Sequence, residues 1–276
     1  MQTTETSAAP PKLTLDDVKF GLTTQARVVW ALMLRETKTR YGEHKLGFLW
    51  AIIEPLIMVA VFVGIFSTIR SDSPGGMPLV PFMLSGIVPF TLFRDTMGQM
   101  QGAIALNRML FAFPQVTTFD VIIARGLLEI LLIGGVFILL LVGIDIAGWD
   151  IRVERPLGVL AACLLLGMMG MGLGFVFASI LPIMPSMRQI SSAVLGRPLF
   201  LGSGIFFIAE SVPAPVRDYL LYNPLMHILE LLRSSFFYEF ESAYGDWTYA
   251  TTWSVCTLAF GLLVHQAVKR KAIIGL

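Results

Sequence analysis

Six times along its length this sequence gathers apolar residues into a run about as long as a lipid bilayer is thick, at about 46–69, 79–105, 121–143, 157–180, 190–207 and 251–268. A helix rising about 1.5 Å per residue needs about 20 such residues to cross a hydrocarbon core of about 30 Å. Inside hydrocarbon every backbone N–H and C=O must find its partner within the protein, which leaves the helix as the element such runs can form. The expected fold class is therefore an all-α membrane protein with six transmembrane helices. Composition argues the same way: 55% of the 276 residues are hydrophobic and 14% charged, against about 25% charged in an average soluble domain.

The remaining segments fit around these runs. Residues 1–12 are rich in Thr, Ala and Pro without periodicity and read as a disordered tail. They lack the basic-then-apolar pattern of a cleavable signal, so the first span is expected to act as the insertion signal. Residues 13–45 are amphipathic, with Val28, Val29, Leu32 and Met33 grouped on one side and Arg27, Arg35 and Lys38 interspersed. Too charged to span, this stretch is expected to be a helix lying in the cytoplasmic interface. Residues 46–276 form the transmembrane domain. Between the fifth and sixth spans, 209–246 holds apolar patches too short to cross, with helix starts at Pro213 and Pro224. Short re-entrant helices dipping into the periplasmic leaflet fit it.

In a membrane protein the location of basic residues says more than the net charge of +1. With Arg94 and Arg125 set aside as intramembrane, the N-terminal side carries thirteen Lys and Arg. Seven precede the first span, and the others are Arg108, Arg188, Arg197 and the run Lys269-Arg270-Lys271. The opposite side carries five: Arg70, Arg152, Arg155, Arg217 and Arg233. Both termini are therefore expected to be cytoplasmic. Cys163 and Cys256 fall inside apolar runs, where they act as small hydrophobes and imply no disulfide.

Catalytic signatures are missing from the sequence. There is no Gly-Lys pair, so no P-loop, and any ATP hydrolysis belongs to another chain. His44, His227 and His265 are scattered, and no HExxH, paired-Cys or GxSxG pattern occurs, so neither a catalytic residue nor a metal site is assigned. No internal repeat of the kind found in inverted-repeat carriers is evident.

The most specific stretch is RYGEHKLGFLWAIIEPL, Arg40 to Leu56, in which a basic-Tyr pair is followed by Leu-Gly, Leu-Trp and Pro-Leu. It resembles the start of the first span in ABC-2 type permeases for polysaccharides. The stretches LNRMLFAFPQVTTFDVIIARGLLE and RPLFLGSGIFF to YNPLMHILELLRSSFF extend the resemblance over nearly the whole chain. The last of them, with Asn223-Pro224, His227, Glu230 and Arg233, is most similar to the capsule-export branch, the exporters of group 2 capsules. The resemblance implies an inner-membrane homodimer paired with two cytoplasmic ABC ATPase subunits that bind ATP and Mg. It implies further a periplasmic adaptor leading to an outer-membrane exporter, and outward movement of a lipid-linked acidic capsular polysaccharide. Membrane lipids are partners on this reading and nucleic acid is not. Export of O-antigen or teichoic acid by similar machinery, a secondary carrier and a membrane-bound glycan enzyme are the alternatives.

Candidate site residues follow from both lines. Ionisable side chains inside a membrane are costly and mark pathways more often than packing. Glu54, Arg94, Asp95, Arg125 and Glu129 are of this kind, with an Arg125–Glu129 ion pair at i, i+4 as the structural alternative. Tyr41, Phe48 and Trp50 suit either stacking on sugar rings at a channel mouth or anchoring at the interface. Arg40 and Lys45 suit either attraction of an acidic polymer or fixing of topology. The substrate path is accordingly assigned to Arg40, Tyr41, Lys45, Phe48, Trp50, Glu54, Arg94 and Arg125. Residues 102–110 match the family's coupling helix, with Asn107, Arg108 and Met109 expected to meet the ATPase. Asn223, His227, Glu230 and Arg233 are assigned to a periplasmic gate. Asn223 is placed to cap a helix that Pro224 begins, and a local Glu230–Arg233 pair is the alternative reading. Gly167, Gly170, Gly172 and Gly174 are expected to allow close helix approach.

Overall fold

The computed structural model describes residues 15–41, 46–69, 74–149, 153–238 and 240–274. The expected tail, Lys45, and the side chains of Tyr41 and Phe48 lie outside what is described. Among the described residues the regular structure is helical throughout: α1 (Leu15–Tyr41), α2 (Leu46–Ile69), α3 (Leu79–Gln101), α4 (Ala103–Leu106), α5 (Thr118–Ile146), α6 (Pro156–Ile180), α7 (Met187–Ile190), α8 (Arg197–Gly202), α9 (Ala214–Leu220), α10 (Pro224–Phe236) and α11 (Trp247–Ile274).

Four helical stretches among the described residues are long and apolar enough to cross a membrane: Leu49–Thr68, Thr118–Ile146, Pro156–Ile180 and Trp247–Lys269. The first and fourth expected spans coincide closely with α2 and α6. The third begins earlier than expected because Thr117 and Asp120 form a capping box. The Asp120 amide donates to the Thr117 hydroxyl, and the Asp120 carboxylate accepts from the Thr117 amide, so two otherwise orphaned N–H groups are satisfied.

The expected second span, α3, stands apart because Arg94 and Asp95 dilute its hydropathy, yet it is the most deeply buried of the long helices. Residues 81–93 are all buried. Phe82, Phe90 and Phe93 join Ile133 and Phe137 of α5, Leu166 of α6 and Ile228 and Leu229 of α10 in one apolar core. The helix ends at Gln101 rather than near residue 105, and Gly102 separates it from the single turn of α4.

The fifth expected span, 190–207, needs correction. Its helical turns run from Met187 through a π-helical turn, Ser191–Gly196, to Gly202. The chain then leaves the helix through Ser203 and Gly204, the latter at φ 75°, a left-handed backbone that glycine adopts without strain. Its apolar composition hid this break. The segment after it contains short helices, as expected. Asn223 caps α10 by accepting from the Leu225 amide, with Pro224 at the first helical position.

Lipid tails are as apolar as leucine, so helices in a membrane are held together by close packing more than by escape from solvent. The α6 glycines provide it. A Cβ at Gly170 would stand 2.7 Å from the Phe93 carbonyl oxygen of α3. A Cβ at Gly172 would stand 2.6 Å from the Thr257 carbonyl of α11, and one at Gly261 would overlap the Gly172 carbonyl. The α6–α11 backbones thus touch across paired glycines.

Helix α1 runs obliquely beside the first turns of α5. Gln25 donates to Asp120, Arg125 pairs with Glu36, and Arg40 pairs with Glu129. Between the first and last of these links α1 advances about 22 Å and α5 about 13 Å, at about 1.5 Å per residue.

Candidate functional site

Ion pairs fasten α1 to the bundle. The Arg125 Nη2 lies 2.7 Å from Glu36 Oε1, and Arg40 Nη1 lies 2.7 Å from Glu129 Oε2. The Arg40 Nε also meets Glu36 at 3.2 Å, and its Nη2 donates to the side-chain oxygen of Gln99 at 2.9 Å. Arg125, Glu129 and Glu36 are buried. The Arg125–Glu129 pair considered as the structural alternative within α5 is not formed: each of the two residues finds its partner on α1. The spacing within one helix suggested the wrong mate because the competing charges sit in a segment nearly ninety residues earlier. Breaking one such buried pair by removing a single partner typically costs about 3–5 kcal/mol, since the other charge is left unpaired.

Two cavities flank this network. The first, about 430 Å³, lies between Met58 of α2, the Arg94–Gln101 stretch of α3 and the broken helix from Arg188 to Phe200. Its charged lining is Arg94, Arg188 and Arg197 against Asp95, and Ser191 and Ser192 of the π-helical turn add hydroxyls. The second, about 420 Å³, has the opposite balance, with Glu54, Asp95 and Glu129 against Arg40, and with Trp50 and Gln99 beside them. Asp95 lines both. Its Oδ1 holds the Nε of Arg94 at 2.8 Å, while Glu54 stands 3.8 Å from Arg94 on the other side.

The sequence-assigned path residues thus divide. Arg94 lines the first cavity, whereas Arg40, Trp50 and Glu54 line the second. Arg125 is turned to Glu36 beside α1. Sequence reading missed Arg188 and Arg197 as cavity residues, because both, one just before the fifth apolar run and one within it, were counted as topology-setting charges. It also missed Glu36, whose i, i+4 spacing to Arg40 was the available signal.

The coupling segment follows α3. Asn107 is buried: its amide donates to the Ala103 carbonyl and its oxygen accepts from Arg35 at 2.7 Å. Arg108 and Met109 face outward from a 3-10 turn, Arg108–Ala112, and Leu106 and Phe113 are exposed beside them. An exposed apolar patch next to a cation has the makeup of a protein contact.

Of the four residues assigned to a periplasmic gate, Arg233 and Asn223 are committed to the backbone around the helix break, and Glu230 and His227 to the segments beyond it. Arg233 is fully buried. Its guanidinium donates to the carbonyls of Gly204, Ile205 and Phe207 and lies 4.0 Å from the Phe82 ring centre. Glu230 accepts from the Ala209 amide and the Ser242 hydroxyl. These contacts take the place of the Glu230–Arg233 pair of the alternative reading. The amide of Asn223 donates to the Gly202 carbonyl and the Ser203 hydroxyl. His227 lies 2.8 Å from the Leu221 carbonyl through one ring nitrogen, accepts from the Asp246 amide through the other, and packs against Tyr249.

The arrangement offers binding and guidance. Among the described residues no group of three His, Cys, Asp or Glu is placed to hold a metal.

Comparison with known proteins adds an independent finding. A family model described as ABC-2 type transporter matches residues 27–237. The polysialic acid transport protein KpsM of Escherichia coli is 34% identical, over 90% of this chain and 96% of its own length. The capsule polysaccharide export inner-membrane protein CtrC of Neisseria meningitidis is 30% identical, over 88% and 92%. The O-antigen export system permease protein RfbA of Myxococcus xanthus is similar over 28% of this chain, at 32% identity.

Proposed function

Because the chain belongs to the ABC-2 type transporter family, we propose that it is the membrane subunit of an ATP-driven exporter of acidic, lipid-linked capsular polysaccharide. The observation that carries this reading is the first cavity, in which three arginines face one carboxylate. An isolated arginine in a membrane is costly, and three around one open space suit a ligand that brings negative charge. Guanidinium groups bind carboxylates through a planar fork, and several weak contacts let a polymer slide where one strong contact would hold it. Asp95 keeps Arg94 in place and offsets part of its charge, which moderates the grip.

In this proposal α2, α3, α5, α6, the broken helix 187–202 and α11 are the six spans. Helix α1 lies at the cytoplasmic interface, both termini are cytoplasmic, and the short helices of 209–246 dip into the periplasmic leaflet. Two copies form the path, and two ATPase subunits holding ATP and Mg dock at Arg108 and Met109. An adaptor carries the polymer on to the outer membrane. Relatives named for polysialic acid transport and for capsule polysaccharide export, matched over most of their length, support this substrate class over O-antigen, whose exporter matches only part of the chain.

Two experiments test the proposal. Deletion of the gene should remove the polysaccharide from the surface and accumulate it inside. The triple variant Arg94→Ala, Arg188→Ala, Arg197→Ala should do likewise. At about 0.5–1 kcal/mol for each partly solvated contact, the loss is roughly ten- to hundredfold in polymer affinity. Unchanged export at normal protein levels would overturn the assignment. Separately, Arg108→Glu should abolish co-purification of the ATPase, and retained association would remove Arg108 from the docking surface.

A further inference from the structure

The junction between α3 and α4 is a weak point. Gly102 interrupts the helix, and a push delivered to the segment beyond it would bend the chain there before moving α3. Helix α1 bridges this junction from outside. Before the break, Arg40 donates to Gln99 at 2.9 Å; after it, Arg35 donates to Asn107 at 2.7 Å. The two arginines lie five residues apart on one continuous helix, about 7.5 Å along its axis. Asn107 in turn fixes α4, through its bond to the Ala103 carbonyl. Between the two jaws, Glu36 binds Arg125, whose Nη1 also approaches the Gln99 carbonyl. Beyond them, Arg40 grips Glu129 in the wall of the second cavity.

We infer that α1 is a splint across the Gly102 break, and that Arg35 is the positioning residue that turns displacement of the coupling segment into displacement of the cavity wall. The inference rests on the exporter reading above for the source of the push. Arg35 touches neither cavity, so its role is distinct from binding polymer. A lysine would keep the charge but reach Asn107 with a single flexible ammonium in place of a rigid fork.

The test uses the assembled complex with its ATPase. In Arg35→Ala, ATPase association and ATP hydrolysis should stay at the parent level while polymer exported per ATP falls about fivefold or more, the scale of a coupling carried through one link. Arg35→Lys should restore part of it. A short bismaleimide tether joining Arg35→Cys to Asn107→Cys, in a background with Cys163 and Cys256 replaced, should restore coupling without the arginine. Normal export per ATP in Arg35→Ala, lost ATPase association, or a tether that restores nothing would each overturn the splint. Spin labels at Lys38→Cys and Ala105→Cys, exposed on α1 and α4 and outside the docking pair, judge it independently of transport. Their separation should stay fixed on ATP addition in the parent and change in Arg35→Ala, and identical behaviour in both would count against it. If the parent complex moved no polymer the exporter reading would fall, while the label distances would still decide on the splint.

Discussion

Replacing Arg233 by methionine is expected to lower the stability of the folded protein by about 3–5 kcal/mol, the cost of leaving three buried carbonyls without their donor. Three carbonyls, those of Gly204, Ile205 and Phe207, converge on its guanidinium from a stretch where the helix has just ended. Each carbonyl left without a donor costs about 1–3 kcal/mol, and partial relaxation of the loop brings the sum back into that range. Methionine approximates the stem of arginine, so the loss reports the guanidinium's hydrogen bonds together with its contact over the Phe82 ring. For a chain of this size the change corresponds to roughly 6–20 °C in the midpoint of thermal unfolding, measured by size-exclusion of the detergent-solubilised protein after heating. Arg233→Lys should fall between, since an ammonium keeps the charge but cannot fork to three carbonyls. A methionine variant melting with the parent would show that the guanidinium is not what holds the break.

The second large effect is expected at Gly261. A Cβ there meets the backbone carbonyl of Gly172, and backbone atoms cannot rotate away as a side-chain tip can. Gly261→Ala must push α11 off α6, at about 1–3 kcal/mol for overpacking of this kind, and Gly261→Val should prevent accumulation of folded protein altogether. Gly134→Ala is the control. Nothing lies within 4 Å of a Cβ at that position, so the better helix propensity of alanine, up to about 1 kcal/mol, should leave it neutral or slightly stabilised. Equal yields of Gly261→Val and Gly134→Ala in membranes, by fluorescence of a fused reporter, would refute the close-packing account.

Legibility in the sequence tracked length. Helices α2 and α6 are long uniform apolar runs, and their ends were readable to within a residue because nothing competes with helix inside hydrocarbon. The helix 187–202 was not readable to its end. Gly202, Ser203 and Gly204 sit in an apolar sequence that continues to Phe207, and what stops the helix is Arg233, reaching in from 29 residues away. Likewise Arg125 and Glu129 were recognisable as important charges but not by their partners, since α1 supplies both. Asn223 was read correctly as a cap because capping is local: side chain and amide are two residues apart. Arg188 and Arg197 became visible only once folding brought them across from Arg94. What depended on one helix was legible, and what depended on two was not.

The oblique course of α1 beside α5 also dictates an order of assembly. The partners of Glu36 and Arg40 lie 89 residues further along the chain. At a ribosomal pace of about 5–20 residues per second, those partners arrive roughly 4–18 s after α1 has left the ribosome. Through that interval Glu36 and Arg40 have each other, four residues apart on α1, but not the α5 partners that later bury them. The first of these helices to be made therefore gains its interhelical ion pairs only once α5 has followed it.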